Sequence, residues 1–198
     1  MYNLTNQVTT WNITTSWRMF VMGSAARFDE VPVSTVPIKL RNPKPTAVEL
    51  YKQIMMRQDF GPVLHTLVQR NHATTEVEAL ELVKAWIQWL CIGATTRTEN
   101  YLMFHGPVDE AFHSAILCTR WYMNFCTAHI GCYVHHDPLD KNSFDDATLD
   151  TAIAHTIMLL ENVWGEQLEP GLKVWVEARN RGELTPTSVS CVCNGHDD

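Results

Sequence analysis

Three histidines and one carboxylate, close together in the middle of this 198-residue chain, are the residues best suited to chemistry. Asp109 and His113 are four residues apart in a helical pattern, so they lie on one helix face. His135 and His136 follow in a short extended piece. Imidazoles with a carboxylate bind zinc, copper or iron, and a carboxylate also holds an imidazole in one tautomer. The pattern predicts a metal site with candidate ligands His113, His135 and His136. One of the paired histidines would bind the ion together with His113, and Asp109 would orient the ligands.

The path of the chain decides whether these histidines can meet. The sequence predicts one helix over residues 107–130, ended by Gly131. From His113 to the end of this helix the chain rises about 25 Å. The extended return to His136 spans at most about 20 Å. The rings therefore meet only if the chain doubles back or the helix bends, and alternation lets only one of His135 and His136 face the helix. In the alternative, one of the pair caps helix carbonyls and the other is exposed.

Arg120 falls on the same border of the predicted helix as Asp109. The sequence predicts a catalytic role for both residues, with the guanidinium binding a substrate carboxylate. A plain salt bridge within or between helices remains the alternative for Arg120.

A second metal arrangement is suggested by two short cysteine motifs. C-x-x-H has the spacing of half a zinc site, and C-x-C with a following histidine could supply the other half. The residues are Cys132, His135, Cys191, Cys193 and His196. A short polar tail is more often disordered than part of a metal site.

The central stretch resembles a known family. Its residues are Val108-Asp109-Glu110-Ala111-Phe112-His113, Ile116-Leu117, Thr119, Tyr122, Phe125-Cys126, Gly131 and His135-His136-Asp137-Pro138. This is similar to the V-D-x-x-W-H-x-H-I-L-x-T core and G-x-x-x-H-H-x-P turn of the glycine-rich-domain-containing-protein-like family of bacteria and plants. The resemblance covers about residues 89–165 and implies a helical fold with a histidine-bearing site, but no particular reaction. Phe112 stands where the family has tryptophan, and Ala115 where it has a second histidine.

The remaining sequence predicts a mainly α protein, a bundle of about five helices. Capping boxes at Thr46 and Thr75 start helices, and residues 82–92 are apolar on nearly every side, as in a central helix. A last long helix, capped by Ser143 or Asp145, is predicted over 147–164. From Glu166 the chain is predicted to be irregular, apart from one helical turn near 173–179. Residues 1–44 are predicted to form an extended, partly β-like arm, 45–180 the helical domain and 181–198 a flexible tail.

Composition narrows the class of protein. Hydrophobic content is 45% with seven tryptophans, which is typical of a packed interior. A net charge of −7 with scattered Lys and Arg argues against nucleic-acid and anionic-membrane partners. The sequence shows no signal peptide and no long apolar run, which favours a cytoplasmic protein. Nucleophile elbows, phosphate loops and dinucleotide fingerprints are absent from it.

Two functional hypotheses follow. The first is a metal-dependent enzyme: iron or copper would favour oxidative modification of a peptide or small metabolite, and zinc would favour hydrolysis. The second is a non-catalytic helical interaction module, in which the tryptophan-rich arm binds a partner protein or a second copy of the chain.

Overall fold

The computed structural model describes residues 44–96, 98, 100–139 and 144–192, with only the backbone for 189–192. All of them belong to one structural unit, Asn42–Asp198. Apart from residue 44, the predicted N-terminal arm lies outside the described residues, so it stays a prediction.

The described part of the chain is mostly helical, with seven α-helices and a small sheet, where the sequence predicts about five helices. The helices are α1 (Ala47–Arg57), α2 (Gly61–Gln69), α3 (Glu76–Thr96), α4 (Pro107–Leu117), α5 (Thr119–Phe125), α6 (Asp146–Trp164) and α7 (Pro170–Arg181). Two differences explain the higher count. The predicted helix over 107–130 is divided, and α7 occupies a region for which only one helical turn, near 173–179, was predicted.

The capping box predicted at Thr46 is confirmed, and the one predicted at Thr75 is present in part. Thr46 and Glu49 form a reciprocal capping box at the start of α1. At the start of α3, Thr75 accepts a hydrogen bond from the Glu78 amide at 3.2 Å, but the Glu78 carboxylate accepts from the amide of Thr74 rather than from that of Thr75. Asp145 caps α6 by accepting from the Thr148 amide. These short polar residues satisfy amides that have no partner inside the helix.

Helix α3 is the centre of the core, as its apolar sequence predicts. Its side chains are buried continuously from Ala85 to Gly93, including Trp86 and Trp89. Gln88, a polar residue in this apolar stretch, is also buried. Its amide donates to the Gln167 carbonyl at 2.8 Å and accepts from the Glu169 amide at 2.9 Å, which compensates for its burial.

Three short strands form an antiparallel sheet in the order β1-β3-β2: β1 (Leu102–Phe104), β2 (Val134–Pro138) and β3 (Pro186–Val192). Strand β3 lies inside the segment predicted to be a flexible tail, and this is a correction to the prediction. The strand is ordered by backbone pairing with β1 on one side and β2 on the other. Because these partners are distant in sequence, local pattern gives no indication of the pairing.

The predicted long helix bends rather than running straight. Helix α4 ends at Leu117, α5 continues from Thr119, and a π-helical turn, Cys126–Ile130, completes the segment. The break is at Cys118, whose thiol lies 3.3 Å from the Thr66 hydroxyl of α2. Gly131 ends the segment with a φ of 87°, as predicted for a helix C-terminus.

None of the helices in the described residues has the length and apolar character needed to cross a bilayer.

Candidate metal centre

The first turn of α4 presents Asp109 and the second presents His113. Gly106 precedes the helix with a φ of 142°, and Pro107 occupies the first helical position. Asp109 is thus in the first turn, where the free amides and the helix dipole favour a negative charge. Phe112 fixes the rotation of α4 because its ring packs 5.6 Å from Trp86 and 5.7 Å from Trp89, both on α3.

Strand β2 brings His136 back to this helix. Val134 is buried, and the Tyr122 hydroxyl donates to its carbonyl at 2.6 Å, which ties the returning chain to α5. Alternation along the strand then leaves His135 exposed and turns His136 inward. The prediction that only one of the paired histidines faces the helix is confirmed, and that residue is His136.

Asp109, His113 and His136 converge. Asp109 Oδ1 lies 2.8 Å from His136 Nε2, and the two side chains are only 3% and 9% exposed. The rings of His113 and His136 stack with centroids 4.5 Å apart. One ligand atom from each of the three residues lies within 4.8 Å of the other two, so the group could hold a metal ion.

The 2.8 Å between Asp109 Oδ1 and His136 Nε2 is a hydrogen-bond distance, so an ion that binds both atoms has to replace this hydrogen bond. His113 is 41% exposed, so its ring has room to adjust to an ion.

One further charged residue, Glu110, lies beside His113. Its Oε2 atom is 3.6 Å from His113 Nδ1 and 3.2 Å from Nε2 of His72, in the turn between α2 and α3. Arg70 Nε lies 3.3 Å from the same His72 Nε2, which accepts from Arg70 when it is unprotonated and donates to Glu110 when it is protonated. A second carboxylate therefore flanks the candidate ligands.

The candidate ligands line an open cleft of about 520 Å³. Its described lining is His105, Asp109, Glu110, His113, Ile116, His136, Pro138 and Thr187. None of these is a lysine or an arginine. The cleft is large enough for a small molecule or one or two residues of a peptide, and its lining offers carboxylates, imidazoles and a few apolar groups.

Two predicted site residues lie elsewhere. His135 points away from the cluster, and its ring packs edge-on against Tyr133 at 4.8 Å. Arg120 is exposed on α5 and does not line the cleft, because the break at Cys118 separates its helix from the one that carries Asp109. The structure therefore does not bring Asp109 and Arg120 together in one site.

The second predicted metal arrangement is only partly within the described residues. The register of β2 and β3 pairs His135 with Cys191, so these two positions are opposite each other on neighbouring strands. Cys193 and His196 lie outside the described residues. A zinc site formed by these residues stays a prediction.

Several residues in or beside the cleft were not predicted. Glu110 lines the cleft and adjoins Asp109 in sequence, but only Asp109 was predicted as a site residue. His72, the partner of Glu110, reaches the site from the turn before α3. Thr187 comes from β3, which was not predicted as a strand. Only tertiary contacts bring His72 and Thr187 to the site, so the local sequence does not indicate that they belong to it.

No family model, curated protein or solved structure matches this chain. The resemblance to the glycine-rich-domain-containing-protein-like family stays a prediction, and the functional argument depends on the geometry of the site.

Proposed function

We propose that the chain is a metal-dependent enzyme, in which Asp109, His113 and His136 hold one iron(II) ion facing the cleft. The observation that carries the proposal is the convergence of three ligand atoms within 4.8 Å, from two elements far apart in sequence. Two imidazoles and one carboxylate with open positions form the ligand set typical of non-haem iron(II) oxygenases.

The burial of Asp109 supports a functional role. Removing a carboxylate from water costs free energy, and an apolar pair of similar size would stabilise a purely structural contact at least as well. Asp109 is nevertheless only 3% exposed at the end of an open cleft. A cation bound by Asp109 and His136 together would replace their hydrogen bond and compensate for the charge of the carboxylate.

The charge of the cleft indicates the type of substrate. Its described lining contains a second carboxylate, Glu110, and no lysine or arginine. A substrate carboxylate would therefore have no fixed cation of the protein to bind. We propose a neutral or cationic substrate, such as a peptide segment or a small amine, whose apolar part contacts Ile116 and Pro138.

The proposed reaction is hydroxylation of a carbon–hydrogen bond by O₂. One oxygen atom enters the bond, and the other leaves as water with two electrons and two protons from an ascorbate-type reductant. Bound iron supplies the activation of O₂. The protein's own residues orient the imidazoles and restrict access of the substrate to the open side of the site.

The test begins with elemental analysis of protein purified without a histidine tag and loaded with iron(II) under argon. We expect one iron per chain in the parent and much less in His113→Ala and Asp109→Ala. His129→Ala is a matched control, because this half-buried histidine contacts Gln58 in another part of the fold. Ascorbate-dependent O₂ uptake should increase on adding a basic peptide library and should be absent in His113→Ala.

Other outcomes would overturn the proposal in different ways. Tight stoichiometric zinc with peptide hydrolysis and no O₂ uptake would replace oxidation by hydrolysis. If the folded chain binds no transition metal, the interaction-module hypothesis is favoured instead. In that case Asp109 and His136 serve only to hold β2 against α4.

A further inference from the structure

We infer that Glu110 is a positioning residue that holds the ring of His113 so that Nε2 faces the metal ion. The inference rests on the proposed function of the same site. Glu110 does not belong to the converging set of three ligands, and its role would be exerted through His113.

His113 is the ligand that most needs to be held. Asp109 and His136 are 3% and 9% exposed and contact each other directly. The side chain of His113 is 41% exposed, and its stacking on the His136 ring is a contact that fixes neither of its ring nitrogens. An exposed side chain loses rotamer entropy when it binds an ion, and this loss is smaller if a neighbour already restricts the ring.

Glu110 is placed to impose that restriction. Its Oε2 atom lies 3.6 Å from Nδ1 of His113, one turn along α4. A neutral imidazole carries one proton, so a carboxylate beside Nδ1 favours the tautomer that is protonated there. The lone pair for the metal ion is then on Nε2. Metal-binding histidines commonly have such a carboxylate partner, and cation binding would shorten this contact to a charge-assisted hydrogen bond.

Glu110 is itself held from outside its own helix. Its Oε2 atom also lies 3.2 Å from Nε2 of His72, and the carboxylate is only 27% exposed. A surface Glu–His pair three residues apart with no other contact would contribute only tenths of a kcal/mol. When Nε2 of His72 carries a proton, this contact connects Glu110 to the turn before α3, so its carboxylate remains near His113 without relying on α4 alone.

The inference can be tested with cobalt(II), whose visible absorption reports its ligands. Glu110→Ala should weaken cobalt binding by about 10–100-fold and change the absorption bands. Glu110→Gln should restore part of the affinity, because its amide oxygen can lie in the same position beside Nδ1 and accept from it when the ion binds. Glu161→Ala, which removes the same charge from an exposed position on α6, is the control and should leave the affinity unchanged. Parental affinity in Glu110→Ala would overturn the inference.

A second measurement separates this inference from the proposed function. Long-range ¹H–¹⁵N spectra of the metal-free chain at pH 8 assign the tautomer of His113 whether or not any metal binds. We expect the Nδ1-protonated form in the parent and a shift towards the Nε2-protonated form in Glu110→Ala. If the parent bound no cobalt, the proposed function would fail while this tautomer result still supported Glu110 as the positioning residue. A parent that is mainly Nε2-protonated would overturn the inference.

Discussion

Replacing Asp109 should lower the free energy of unfolding of the metal-free protein, because its carboxylate is buried and hydrogen-bonded. The carboxylate and the His136 imidazole are 2.8 Å apart and almost fully buried. A hydrogen bond to a charged group contributes about 1.5–3 kcal/mol, and an unsatisfied buried partner costs about 1–3 kcal/mol. Part of this loss is offset because the variant no longer buries a charge. For Asp109→Ala we therefore expect a loss of about 2–4 kcal/mol in the free energy of unfolding.

Urea denaturation in a chelating buffer measures this loss. The slope of the transition should stay constant while its midpoint falls, and the melting temperature should drop by about 2–4 °C per kcal/mol. Asp150→Ala is the matched control: its carboxylate is 74% exposed and 4.0 Å from Arg179. This exposed pair should contribute less than about 1 kcal/mol.

A double-mutant cycle isolates the contact itself. Asp109→Ala and His136→Ala together should cost less than the sum of the two single variants, with a coupling energy of about 1–3 kcal/mol. Additive losses, or a loss in Asp109→Ala no larger than in Asp150→Ala, would refute the buried hydrogen bond on which the geometry of the site depends.

Three further predictions concern other parts of the fold. Burial and a nearby arginine lower the pKa of His129 in the folded protein. The folded state therefore keeps its full stability above about pH 6.5, the pKa of an unfolded histidine, and loses stability as the pH falls towards the lower folded-state pKa. His129→Gln should reduce this loss, which urea midpoints from pH 8 to 5 measure. Burial raises the pKa of the Cys91 thiol, so iodoacetamide at pH 8 should label the partly exposed Cys118 before Cys91. Mass spectrometry of the native protein measures the labelling, and equal labelling of the two thiols would contradict this prediction. Gly171→Ala would place a methyl group 3.0 Å from Val108 Cγ2 and should cost about 1–3 kcal/mol in urea denaturation, whereas a gain in stability would show that α7 can move away from α4.

Local patterns were sufficient to predict much of the helical scaffold. Capping residues and apolar periodicity are read within one or two turns, so α1, α3 and α6 begin close to where Thr46, Thr75 and Asp145 predict. The local sequence does not indicate the division of the long helix at Cys118, because neither glycine nor proline is present there. Its thiol contacts α2, which is a tertiary effect.

The candidate site was predicted in part for the same reason. Asp109 and His113 share a helix face at a spacing that sequence alone reveals. Choosing His136 over His135 required the orientation of β2, which its pairing with β3 determines. Arg120 was assigned to the site on the assumption of a straight helix, and the bend removes the basis for that assignment.

The most direct test of the metal site is a crystal of the chain soaked in iron(II) under argon and measured on both sides of the iron absorption edge. We predict one anomalous peak about 2.0–2.2 Å from an oxygen of Asp109 and from one nitrogen each of His113 and His136. An empty map, with Asp109 Oδ1 still hydrogen-bonded to His136 Nε2, would contradict the metal centre.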